Sequence, residues 1–252
     1  MKIAVLILGI VVVVSLCICI YKCINQKSAF AKAICRMAVP ALAITVFSMI
    51  ALFTSKRVIS MLAHSLYLSA SDWLMFAVLS YVFLYVGKKD ENKLKFILMF
   101  AVIIADNLFL LSNMFTEKIF TVCYIIRPDG LSYYKFETLP LYLIHAVVIY
   151  SFVLYSVIEL IRKIYNTGSV YRKKYIAVLL IIVGVVMLNA ACLYLGDAID
   201  FSVVGYAVGG LLIYYYSIIY MPAMLKHQTL SLVADDMSEG LIILERITSV
   251  FI

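Results

Sequence analysis

The chain has 252 residues, 65% hydrophobic and 14% charged, with a mean hydropathy of +1.07. A soluble domain is about half apolar and about a quarter charged, so an ordinary soluble fold is excluded. The net charge of +7 does not point to nucleic acid, because the basic residues lie between apolar runs, where they act as topology signals.

Seven apolar runs follow one another, several of about 20 residues, enough to cross roughly 30 Å of hydrocarbon. Spanning backbone must be hydrogen-bonded internally, which predicts an all-α membrane protein. The runs place helices at about 3–22, 37–54, 62–86, 95–113, 139–161, 175–195 and 201–220. The first run has no small-x-small cleavage site, and Leu16 stands where a lipoprotein site at Cys17 needs a small residue, so it is read as an uncleaved helix. Six cysteines give no disulfide framework. Cys17, Cys19 and Cys192 lie in apolar runs, Cys23 and Cys35 in a basic loop, and Cys123 in a long loop.

The first, third and fifth connections carry thirteen Lys and Arg, against six on the other side. With seven spans, this bias predicts an outside N-terminus and a cytoplasmic C-terminus. Arg57 lies just past the second helix on the outer side, where it is expected to snorkel with Lys56. The third segment is over-long, so its helix is expected to start near Leu62 after a turn around Val58 to Ser60. Between the fourth and fifth helices, Phe120–Ile126 is β-branched and aromatic, Arg127-Pro128-Asp129-Gly130 suits a type I turn, and Leu131 to Phe136 alternates loosely. This predicts a small β-hairpin over the outer mouth of the bundle, as a lid or a structural cap. The sixth loop, Gly196 to Asp200, is short and acidic, which makes the sixth and seventh helices antiparallel neighbours.

Polar groups inside spans are costly and are functional candidates. Asp72 lies about 20 Å from the inner end of the third helix, in the outer half. Asp106 and Asn107 are near the midplane of the fourth, His145 is below the outer end of the fifth, and Asn189 is in the outer half of the sixth. Three readings stand open: a pocket for a small polar ligand, a proton or ion path, and interhelical hydrogen bonds that only fix packing. Glu159 has Arg162 and Lys163 at i+3 and i+4, an interfacial ion pair. His64, His145 and His227 are too scattered for a metal motif. No phosphate loop, nucleophile elbow, cofactor motif or catalytic constellation is visible, and helix seven lacks the lysine a retinal protein needs. Gly205-Tyr-Ala-Val-Gly209 permits close packing, either within the bundle or at a homodimer face.

Beyond Tyr220, Pro222 bends or ends the last helix, Leu230, Val233 and Met237 share a helix face, and Gly240 ends that stretch. Asp236-Met-Ser-Glu-Gly240 followed by Leu241-Ile-Ile-Leu-Glu245 resembles the entry to a PAS domain. The hairpin with its Pro-Asp-Gly turn, the start of helix five at Leu139-Pro-Leu-Tyr-Leu-Ile-His145, the short sixth loop and the Gly-rich seventh helix resemble the seven-transmembrane sensor region at the N-terminus of bacterial histidine kinases. The resemblance implies a plasma-membrane sensory input module of a two-component or diguanylate cyclase type. Its implied partner is a cytoplasmic output domain; the bilayer and an unidentified small ligand are the other partners expected.

The domains expected are a sensor bundle over 1–220, a linker helix over 221–239, and a truncated PAS-like start over 240–252, without a catalytic output domain. The expected ligand-binding residues are Asp72, Asp106, Asn107, His145 and Asn189. The expected relay residues are Gly205, Gly209, Pro222, Met237 and Gly240. A small multi-pass transporter or channel subunit using the same buried acids is the alternative.

Overall fold

A computed structural model describes residues 2–88, 93–126, 132–195 and 201–220. Its elements run α1 (Lys2–Ile24), α2 (Ala29–Phe53), α3 (Arg57–Val86), α4 (Lys93–Thr116), β1 (Phe120–Ile126), β2 (Ser132–Thr138), α5 (Tyr142–Tyr165), α6 (Ser169–Leu195) and α7 (Ser202–Tyr214), with a π-helical turn at Tyr215–Tyr220. Among the described residues, six helices are long and apolar enough to cross a bilayer, and a shorter apolar helix spans Ser202–Ile218. The fold is the expected helical membrane bundle with a small antiparallel hairpin.

α3 is the central staff, packed against α2, α4 and α5, with buried residues spaced along it from Ser60 to Val86. Thirty residues at 1.5 Å each make it about 45 Å long. The break expected at Val58 to Ser60 is absent. Ser60 N donates to Lys56 O at 3.0 Å to close the first turn, and Arg57 pairs with Glu117 at the end of α4 rather than lying beside Lys56. α3 ends at Gly87, whose φ of 85° is left-handed. There Lys88 N reaches Phe83 O at 2.9 Å, a glycine C-cap that turns the chain sharply.

α2 starts eight residues earlier than expected. Ser28 caps it, accepting from Phe30 N at 3.3 Å. The basic stretch taken for a loop is an amphipathic first turn: Lys32 and Arg36 are exposed while Ala31, Ile34, Met37 and Ala38 are buried. Cys23 and Cys35 are therefore helical, in α1 and α2. α6 likewise begins at Ser169, taking Arg172, Lys173 and Lys174 into its first turns.

The strands pair from Phe120↔Thr138 to Ile126↔Ser132; the expected turn at Arg127 to Gly130 lies outside the described residues, as does the sixth loop. The hairpin folds onto the bundle through its own small core, in which Ile119, Phe120 and Val122 pack with Met61, Leu68 and Leu110. Asn113 near the end of α4 fastens it. This buried amide donates to Phe120 O at 2.9 Å and accepts from Ile119 N at 2.9 Å. Tyr134 donates to Ser55 O at 3.3 Å, tying β2 to the end of α2.

At the opposite end, Glu159 of α5 is buried and paired. Arg162 is one partner at 3.2 Å, as expected, but the second is Lys88 at 2.7 Å, not Lys163. The Gly87 turn delivers Lys88 to that carboxylate, while Lys163 lies over the Tyr175 ring, 6.0 Å from its centroid. Close by, Tyr81 of α3 and Ser217 of the π-turn share a hydrogen bond of 2.5 Å.

Candidate functional site

Three helices bring the expected polar residues together. Asp72 is on α3, Asp106 and Asn107 on α4 and His145 on α5, and α3, α4 and α5 are mutual neighbours. The acids and the imidazole are shut off from solvent, with Asp72 0%, Asp106 5% and His145 1% exposed. Unpaired polar groups at this depth cost several kcal/mol, by about the amount seen for buried groups in any apolar medium. Mutual pairing is therefore expected, and it is found.

His145 Nδ1 lies 2.7 Å from Asp106 Oδ2 and 3.5 Å from Asp72 Oδ1. Asn107 Nδ2 donates to Asp72 Oδ2 at 3.1 Å and to the Ile103 carbonyl at 2.7 Å, so one edge of the Asp72 carboxylate is held from α4. Two atoms of this cluster, Asp72 Oδ1 and His145 Nε2, have no hydrogen-bond partner among the described residues. One donor atom from each of Asp72, Asp106 and His145 lies within 4.8 Å of the others. The histidine spacing in the sequence shows none of this, because the three side chains come from three helices and two of them are acids.

His145 also forms part of the wall of a cavity of about 570 Å³ beneath the hairpin. Strand β2 covers it through Tyr133 to Thr138, and α1, α2, α3, α5, α6 and α7 line its sides. Asn189 reaches this cavity rather than the acid cluster, accepting from the Tyr150 hydroxyl at 3.1 Å. The five expected residues thus divide. Four form a polar cluster in which Asp72, Asp106 and His145 are buried and Asn107 half-buried, and His145 joins that cluster to the cavity wall where Asn189 sits.

His64 and Tyr150 line the same cavity and were not among the expected site residues. His64 stacks beneath the hairpin on Phe136, ring centroids 5.3 Å apart, and its Nδ1 lies 2.8 Å from Ser60 O. A periodic signal was available. His64, Tyr67, Leu68 and Ser71 recur at i, i+3, i+4 and i+7 on α3, and Tyr142, His145, Ala146 and Ile149 do so on α5. Each set is one helix face, and the two faces meet across the cavity.

On α7, the expected relay glycines pack inside the bundle. A Cβ at Gly205 would lie 2.6 Å from Leu188 Cδ2, and one at Gly209 2.7 Å from Val185 Cγ2, so both let α7 approach α6 closely. Pro222, Met237 and Gly240, with the linker and PAS-like start, lie outside the described residues.

No curated protein matches the chain. The model of one family, the N-terminal 7TM region of histidine kinase, matches residues 5–232. That span runs from within α1 past the π-helical turn and includes the hairpin, and the chain belongs to this family of membrane-embedded sensor input regions.

Proposed function

We propose that the chain is a sensory input module that receives a small ligand in the hairpin-covered cavity and passes the signal to a cytoplasmic output domain. The observation that carries this reading is the cavity itself. It has room for a drug-sized molecule, by the usual range of about 300–1,000 Å³, and aromatic and polar side chains converge in it. His145 and Asn189 would contact the ligand directly. Asp72, Asp106 and Asn107 would hold the imidazole in place from behind.

The basic residues favour an orientation with the hairpin outside and the C-terminus in the cytoplasm. The hairpin then acts as lid. Output would leave through α7, the π-turn and the linker over 221–239, toward a histidine kinase or a diguanylate cyclase. Glycine-mediated packing on α6 allows α7 to shift as a body, and the Tyr81–Ser217 bond ties the π-turn to α3, which also carries Asp72. A ligand drives this shift only if it binds the two arrangements with different affinity.

The test joins residues 1–245 to a complete kinase or cyclase module and measures output against a panel of small polar and amphiphilic compounds in cells. The reading expects a stimulus whose effect is lost in His145→Gln and Asn189→Leu but kept in Glu117→Gln. A panel without any effect on output, together with solute movement by the chain in reconstituted vesicles, would instead establish the transporter reading. Labelling of the exposed Cys123 by a membrane-impermeant maleimide on intact cells tests the orientation.

A further inference from the structure

We propose that Asp72, Asp106 and His145 form a binding site for one divalent transition-metal ion, with Zn²⁺ the best match, set between α3, α4 and α5 behind the cavity. The donor set is one imidazole nitrogen and two carboxylate oxygens. Imidazole selects for zinc and its neighbours, carboxylates accept the same ions, and three protein ligands with one open position are a familiar zinc arrangement.

The geometry is close to what such an ion needs. Bonds of about 2.0–2.1 Å in a tetrahedron put neighbouring donors roughly 3.4 Å apart. His145 Nδ1 and Asp72 Oδ1 are already 3.5 Å apart. The Nδ1 to Asp106 Oδ2 separation of 2.7 Å is that of a hydrogen bond. An ion entering there takes the place of the shared proton, which moves to His145 Nε2 so that the imidazole stays neutral, and opens the pair by about 0.7 Å.

A second observation points to a ligand. Asp72 is fully buried, yet among the described residues its Oδ1 has no hydrogen-bond partner, and it lies 3.5 Å from the His145 nitrogen. Its other oxygen is engaged by Asn107, which is itself anchored on the Ile103 carbonyl. That is how an outer-shell partner fixes a metal-ligating carboxylate: one oxygen is held, the other is presented. Charge argues the same way. As metal ligands the two carboxylates would be deprotonated and the imidazole neutral, a set carrying 2− that a divalent cation cancels in surroundings where net charge is expensive. The cavity wall at His145 supplies the approach, and a water or cavity ligand can take the open position.

The site shares His145 with the proposed ligand cavity but is tested without any signalling readout, so its failure leaves the sensor reading standing. The full chain, purified in nanodiscs and stripped with chelator, is titrated with Zn²⁺ by calorimetry and with Co²⁺ by absorption. One ion per chain is expected, with intense visible Co²⁺ bands of a low-coordinate site that Zn²⁺ abolishes. Asp72→Asn and His145→Gln should weaken binding by more than the roughly 10–100-fold that loss of an outer-shell partner costs, and Glu117→Gln should not. No ion bound, or equal binding by the wild type and both variants, overturns the proposal. Should a variant fail to fold, X-ray absorption of the Zn²⁺-loaded wild type decides: imidazole in the metal's first shell supports the site, and its absence overturns it.

Discussion

The buried ion pair at the end of the bundle opposite the hairpin predicts an unequal response to removing its two halves. Glu159 is 1% exposed, whereas the side chains of Lys88 and Arg162 are 33% and 67% exposed. Lys88→Met leaves a buried carboxylate with only the outlying Arg162. Stranding a buried charge completely costs about 3–5 kcal/mol, and the remaining Arg162 reduces that to about 2 kcal/mol. Glu159→Gln removes the buried charge itself. The two cations can then turn to water, and the amide oxygen can still accept a bond, so the cost is about 1 kcal/mol or less. At about 2–4 °C per kcal/mol for a chain of this size, Lys88→Met should lower the melting midpoint by about 4–8 °C and Glu159→Gln by no more than about 4 °C. Fluorescence-detected size exclusion after heating detergent-solubilised protein measures both. Equal shifts, or a larger one for Glu159→Gln, would show that the carboxylate is better solvated than its burial indicates. Because Lys88 reaches Glu159 through the left-handed turn at Gly87, Gly87→Ala should resemble Lys88→Met in direction.

Three other expectations concern separate parts of the fold. Asn113→Ala would strand buried backbone groups of Ile119 and Phe120, costing about 2–4 kcal/mol, and amide exchange over 119–126 should quicken well before the helices respond; unchanged protection there would refute it. Gly209→Ala should destabilise by about 1–2 kcal/mol, because the new methyl meets the stiff β-branched Val185, while Gly205→Ala should be near neutral, because the atom it meets is the rotatable end of Leu188; equal melting midpoints would contradict this. The exposed Cys123 thiol bonds to Glu137 at 3.4 Å, and that carboxylate, first through the bond and then through its charge, holds the thiol above its ordinary range. A raised thiol pKa means less thiolate at pH 8, so Glu137→Gln should speed alkylation of Cys123, and an unchanged rate would count against the contact.

Much of the fold was legible because bilayer physics is severe. Twenty apolar residues in a row have few destinations, and the hairpin declared itself through its β-branched and aromatic first strand, found with the expected bounds Phe120–Ile126, while the second runs over Ser132–Thr138. The errors lie at helix ends, where charge was taken for loop. Lys32 and Arg36 sit on the exposed face of a helix that has already begun, and Arg57 opens α3 because Glu117 waits across the bundle to receive it. Linear charge patterns carry no information about such partners. Lys88 shows the same limit: it lies 71 positions from Glu159 in sequence, and only the cap at Gly87 brings the two together.

The candidate site was legible one residue at a time and illegible as an assembly. Asp72, Asp106, Asn107, His145 and Asn189 stood out because ionisable and amide groups are expensive inside a membrane. Which of them meet depends on the rotation of each helix about its axis, and that is set by packing. α3 turns Asp72 toward α4 and α5 while its neighbouring stripe of His64, Tyr67, Leu68 and Ser71 faces the cavity. One residue of offset, about 100° around the helix, separates Ser71 in the cavity wall from Asp72 in the acid cluster. Asn189 of α6 lines the cavity with Ser71, and His145 of α5, on the seam, touches both the cavity and the acids. A ligand in the cavity and an ion behind it would therefore compete for, or share, a single imidazole. If both sites exist, Zn²⁺ should alter the ligand's affinity and the ligand should alter that of Zn²⁺ by the same factor, as linkage requires.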